Sequence, residues 1–130
     1  MPIHVNPQTQ NIKIPVGESR IILKLRNYTA PEYSEFMSSR YEFKKKNKIN
    51  DRAHEARIQF IDLLLMDVSG EDGEGKKDSV VFTDPKDGQT RELTNQVEGW
   101  KTHINPSWKI SAAIELEGEM AELEYDALKN

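Results

Sequence analysis

The sequence predicts an α+β fold, with an N-terminal β-hairpin packed on about three main α-helices in a single domain over residues 11–130. Three observations predict it. Residues 12–25 are rich in β-formers around one turn signal, Gly17-Glu18. Three later stretches carry apolar residues at helical spacing behind capping residues. The length of 130 residues is that of one domain, enough to bury one modest core.

Residues 1–10 are polar, carry two prolines and read as a flexible arm. In the first strand Ile12, Ile14 and Val16 alternate with Lys13; in the second, Ile21, Ile22, Leu23 and Leu25 follow the turn. The expected register sets Ile12/Ile14/Val16 against Leu23/Leu25 or their neighbours, with Lys24 and Arg26 facing solvent. Two strands alone are marginal in water, so the apolar face is expected to pack on helices.

Thr29-Ala30-Pro31-Glu32 opens the first helix. Thr29 can cap, Pro31 fits the first turn, and Glu32 stands at the capping-box position. Tyr33, Phe36, Met37 and Tyr41 then fall near one face, and the helix is expected to run to about Lys46. A second helix is expected over 51–68, capped by Asn50 or Asp51. Its buried stripe is Ala53, Ala56, Phe60, Ile61, Leu64 and Val68, widened by Ile58, Leu63 and Leu65. A helix apolar around so much of its circumference is central, or meets a partner as well as the core. Gly70 reads as its left-handed stop. The polar glycine-rich stretch 70–79 reads as a mobile loop.

Val80-Val81-Phe82 is a short β-type run, and Asp84-Pro85-Lys86-Asp87-Gly88 a turn. Residues 89–104 allow a short helix through Leu93, Val97, Trp100 and Ile104. Asn105-Pro106-Ser107 starts the third long helix, whose seam is Ala112, Leu116, Met120, Leu123 and Ala127, with Gly118 an internal weak point.

Charge is divided along the chain. Residues 1–60 hold 11 Lys/Arg against 6 Asp/Glu, and residues 61–130 hold 7 against 16, which makes the net charge −4. Such a split suits head-to-tail self-association or steering towards a charged partner. The basic patch Lys44, Lys45, Lys46 and Lys48, interleaved with Tyr41 and Phe43, has two readings. One is a helix end that complements the dipole. The other, over 40–57, is a contact surface of a nucleic-acid-binding regulatory protein. A pI near 5.4 weighs against the second.

No chemistry-bearing motif emerges, and no catalytic residue, cofactor or metal is expected. The chain has no cysteine, which excludes thiolate metal sites and disulfides and fits a cytoplasmic setting. His4, His54 and His103 stand apart from any second ligand at metal-binding spacing. Acidic residues around 67–78 do not follow a calcium-loop pattern. No Gly-x-Ser-x-Gly elbow, Walker loop or dinucleotide fingerprint occurs. The N-terminus does not read as a secretory signal, and no apolar run approaches the ~18 residues of a membrane span. Trp100 and Trp108 read first as anchors of the third helix and second as a partner-binding pair. With Leu116, Met120 and Leu123 they form the candidate partner surface.

The order of parts resembles that of small tail assembly chaperones of long-tailed bacteriophages. The resemblance covers roughly 11–128. It rests on the strands Ile12–Leu25, on Leu25-Arg26-Asn27-Tyr28-Thr29-Ala30-Pro31-Glu32-Tyr33 opening a charged helix, and on Ala56-Arg57-Ile58-Gln59-Phe60-Ile61-Asp62-Leu63-Leu64-Leu65 in the next. An acidic glycine loop and a Trp-containing segment follow before a final helix. The resemblance implies a non-enzymatic scaffold that binds the phage tape measure protein, recruits tail tube proteins and self-associates along the tape measure in the host cytoplasm. It also implies that a frameshifted longer form is common.

Overall fold

The computed structural model describes residues 9–44 and 48–129, with side chains described at 9–40 and 52–118. The predicted arm thus lies mostly outside the described residues, as do Lys45 and Lys46. The architecture is α+β, and within it the chain divides into two compact units. The sheet unit comprises the described parts of Met1–Tyr28 and Leu64–Asn105; the helical unit comprises Thr29–Leu63 and the described part of Pro106–Asn130.

In the sheet unit β1 (Thr9–Val16) and β2 (Ser19–Arg26) form the expected hairpin. Gly17 takes a φ of 63°, a left-handed conformation that glycine adopts without steric cost. The register pairs Ile12 with Leu23 and Ile14 with Ile21, and all four are buried. The hairpin is extended by two further strands of the same sheet, a pairing not expected from the sequence. β5 (Leu65–Glu71) pairs antiparallel with β2, and β6 (Lys77–Asp78) with β5, in the order β1-β2-β5-β6. Leu23 meets Val68 and Leu25 meets Leu65, so one face is a continuous buried aliphatic ladder. Leu93 and Ile104 are also buried in this unit.

Two expectations are corrected here. First, the second helix does not run over 51–68. Helix α2 spans Ala53–Leu64, and β5 begins at the next residue, so Leu65 and Val68 belong to a strand. Asn50 and Asp51 lie in a strand, and the first helical carbonyl to accept is that of Arg52, from the Ala56 N–H. Second, Gly70 ends no helix. It lies within β5 opposite Ile21, where an added Cβ would meet the Asp78 carbonyl and the Val80 side chain, each at 3.1 Å. Close approach of backbone is what requires glycine there. Within the stretch 70–79, Gly70 stands opposite Asp78 and Glu71 opposite Lys77. Asp72 organises the turn, its Oδ1 accepting from the N–H groups of Glu74 and Lys76, both at 2.9 Å.

Beyond it, β7 (Val81–Thr83) and β8 (Thr90–Glu92) form a small hairpin around the predicted Asp84–Gly88 turn. A 3₁₀ turn at Trp100–His103 is the only helical piece in the ambiguous stretch 89–104.

The helical unit opens with α1 (Ala30–Ser39). Its capping box is formed as expected: the Glu32 N–H donates to Thr29 Oγ1, and the Thr29 N–H donates to Glu32 Oε1 at 2.9 Å. The helix stops at Ser39 rather than continuing to Lys46. Ser38 and Ser39 donate their hydroxyls back to the carbonyls of Glu35 and Phe36, an alternative that serine offers to helix propagation. The following Tyr-Glu-Phe-Lys becomes β3 (Tyr41–Lys44), paired with β4 (Lys48–Asp51). The basic patch therefore does not complement a helix dipole; Lys44 and Lys48 oppose each other in a hairpin. The third long helix, α3 (Pro106–Lys129), begins where predicted. Among the described side chains of this unit, Phe36, Ala56, Phe60, Ile61, Ala112, Ala113 and Leu116 are the buried apolar ones.

Candidate functional site

Helices α1 and α2 of the helical unit line an open groove of about 370 Å³. From α1 it takes Glu32, Glu35, Phe36 and Ser39, which recur at i, i+3, i+4 and i+7. From α2 it takes Ala56, Gln59, Phe60 and Leu63, with the same spacing. Each helix thus presents two turns, and at 1.5 Å per residue the groove is about 10 Å long. Pro31 closes one end.

The floor is aromatic. Phe36 and Phe60 stack with centroids 4.3 Å apart and planes 6° from parallel. Each is under 5% exposed, so the floor is fixed by the core. Leu63 on the wall is 50% exposed. That corrects its place in a widened buried stripe: α2 is apolar on a side that its own chain leaves open. The polar members have local roles or face solvent. Ser39 is satisfied by the Phe36 carbonyl, Glu32 is held by the cap, and Glu35 and Gln59 are exposed. Both charged lining residues are acidic. No nucleophile or base stands in the groove with an orienting partner, so what the arrangement offers is apolar contact with a negative rim.

A second recess of the helical unit is lined by Arg40, Arg52, His54, Glu55 and Arg57. It falls in the segment with the nucleic-acid reading. Its arginines already meet carboxylates: Arg52 pairs with Glu55, while Arg40 and Arg57 reach Glu117 at 3.5 and 3.1 Å. His54 Nδ1 lies 3.4 Å from Arg57. The side chains of Lys44 and Lys48 lie outside the described residues.

Of the residues expected to bind a partner, Trp100 falls in the sheet unit and Trp108 and Leu116 in the helical unit. Leu116 is 2% exposed and belongs to the chain's own core, which corrects its placement on an open seam. The side chains of Met120 and Leu123 lie outside the described residues. Trp100 and Trp108 are half-buried and fall in different units. Trp100 carries the Lys101 ammonium 5.7 Å from its ring centroid. His103 stacks on Phe82 at 4.2 Å. Among the described residues no three His, Asp or Glu side chains converge as a metal site, and no helix is long and apolar enough to cross a membrane.

Sequence reasoning missed two ion-pair clusters. Lys109 is 4% exposed on α3 and pairs with Asp62 of α2 at 2.7 Å. In the sheet unit Glu71 is 7% exposed and meets Lys13 at 3.2 Å and Arg20 at 2.8 Å. Buried charges need such partners. Among the described residues the displaced titrations belong to one exposed pair, Asp87 of the Asp84–Gly88 turn and Arg91, whose own value Asp87 raises. There the Arg91 guanidinium, bonded to Asp87 at 2.5 Å, lowers the Asp87 carboxyl below its ordinary value, assisted by the Gln89 N–H.

Comparison of the chain with family models, with curated proteins and with solved structures gives no match.

Proposed function

We propose that this chain is a non-enzymatic, protein-binding assembly factor, and that its specific role is as a tail assembly chaperone of a long-tailed bacteriophage, acting on the tape measure protein in the host cytoplasm. The observation that carries the protein-binding reading is the groove between α1 and α2. It is open, it has a rigid aromatic floor, and Leu63 stands half-exposed on its wall. Helix-in-groove recognition uses such a surface, with anchors one turn apart filling an apolar trough. The tail-assembly reading draws on the order of strands, helices and acidic turn that resembles those chaperones.

Co-expression with the tape measure protein encoded in the same genome tests both. The expected result is a soluble complex that co-elutes in size exclusion, lost on Leu63→Glu while circular dichroism shows the variant folded. Separate elution of two folded proteins would contradict the tail-assembly reading. Survival of the complex in the Leu63→Glu variant would contradict the groove.

A further inference from the structure

The rim of the groove specifies the chemistry of what fills it. Glu32 and Glu35 both stand on the α1 side, and no Lys or Arg is among the described lining residues. The capping box holds the Glu32 carboxylate in place, so that charge is pre-positioned; Glu35 is exposed one turn further along. The α2 side offers Ala56, Gln59 and Leu63, with no charge. The trough therefore has one negative bank, one neutral bank and an aromatic floor. Its volume of about 370 Å³ is near the small end of binding cavities. That fits one large apolar side chain with a smaller neighbour a turn away.

We propose that the occupant is a two-turn segment of a partner protein that carries one large apolar anchor and is flanked by Lys or Arg on the side facing α1. The anchor sits on the Phe36–Phe60 stack and against Leu63, and the cations meet Glu32 and Glu35. An acidic segment is rejected, because its charges would face those carboxylates across a partly desolvated trough. This inference rests on the reading of the groove as a protein-docking site, and it adds the charge of the partner.

Two synthetic helical peptides of about 15 residues test it, long enough to populate helix in water. They share a Phe/Leu apolar face and differ only in Lys or Glu flanks. Titration calorimetry at about 50 mM salt should show the Lys-flanked peptide binding about tenfold tighter or more. The preference should shrink at about 500 mM salt, where exposed pairs are screened. Glu35→Lys, an exposed change away from the helix cap, should reverse the preference, with circular dichroism unchanged. Equal binding of both peptides, unmoved by Glu35→Lys, would overturn the proposed charge while leaving the docking groove standing. Binding of neither peptide would overturn the docking site itself. Self-association in ultracentrifugation that Glu35→Lys abolishes would identify the occupant as a second copy, and would overturn the separate partner.

Discussion

The two units each contain a glutamate held between two cations from other elements, but the surroundings of the two glutamates differ. In the sheet unit the Glu71 side chain of β5 is 10% exposed, yet its partners Lys13 of β1 and Arg20 of β2 are 52% and 40% exposed. In the helical unit the Glu117 side chain of α3 is 19% exposed, and its partners Arg40 and Arg57 are 21% and 15% exposed. The sheet unit thus caps one buried carboxylate with cations whose side chains stay largely exposed, although the Arg20 Nε that meets it is itself buried. The helical unit takes all three charges partly out of water and relies on them for each other. Beside these charges the sheet unit buries Ile12, Leu23 and Val68 with Ile14 and Ile21, and the helical unit buries Phe36, Phe60, Ile61 and Leu116 among its described residues.

The sharpest way to break that comparison is at the aromatic stack. Phe60→Ala removes a 4%-exposed ring stacked on Phe36 and should cost about 3–5 kcal/mol in denaturant titration. Next is the pair of glutamates. Glu117→Ala removes the carboxylate that two mostly covered guanidiniums share and should cost about 3 kcal/mol, the low end for breaking a buried pair. Glu71→Ala strips the buried Arg20 Nε of its carboxylate but leaves two side chains that are 40% and 52% exposed and can turn to water, and should cost about 1.5 kcal/mol. Equal losses in urea melts would erase the distinction drawn between the units. Smaller still is Gly118→Ala. Gly118 lies inside α3, and an added Cβ meets nothing within 4 Å, so the change should stabilise by up to about 1 kcal/mol.

The smallest effect belongs to Asp87. Its carboxyl is lowered by the Arg91 bond, so the linked stabilisation is present above the ordinary value of 3.8 and disappears as pH falls through the lower folded value. An NMR titration of Asp87 should move back up towards that value in Arg91→Ala, while the midpoint of unfolding near pH 7 hardly changes, because the turn is exposed. An Asp87 titration that did not move would reject the Arg91 bond as the cause.

The hairpin and the start of α1 were legible because each carries its signal locally. Alternation around Gly17 sets one strand pair, and Thr29 with Glu32 makes one cap. The ends of the helices were not. Tyr41-Glu42-Phe43-Lys44 satisfies a helical stripe begun at Tyr33 and also alternates with period two, and tertiary pairing with β4 decides for the strand. The run Leu63-Leu64-Leu65-Met66 contains no glycine, proline or turn residue, so nothing local marks where α2 becomes β5. The groove was illegible for a different reason. Phe36 and Phe60 each read as a core position in its own helix, and only the adjacency of the two helices turns them into a floor with an open wall at Leu63. Glu117 looked like one of many acids on a solvated helix; its partners lie 60 and 77 positions away in the chain.

The measurement that most directly tests the docking groove is an amide chemical-shift titration of the labelled chain with the Lys-flanked peptide. Saturable shifts concentrated at Glu35, Phe36, Gln59, Phe60 and Leu63, and absent from β1 and β2, are the predicted result. Saturable shifts confined to the sheet unit, with α1 and α2 unmoved, would contradict it.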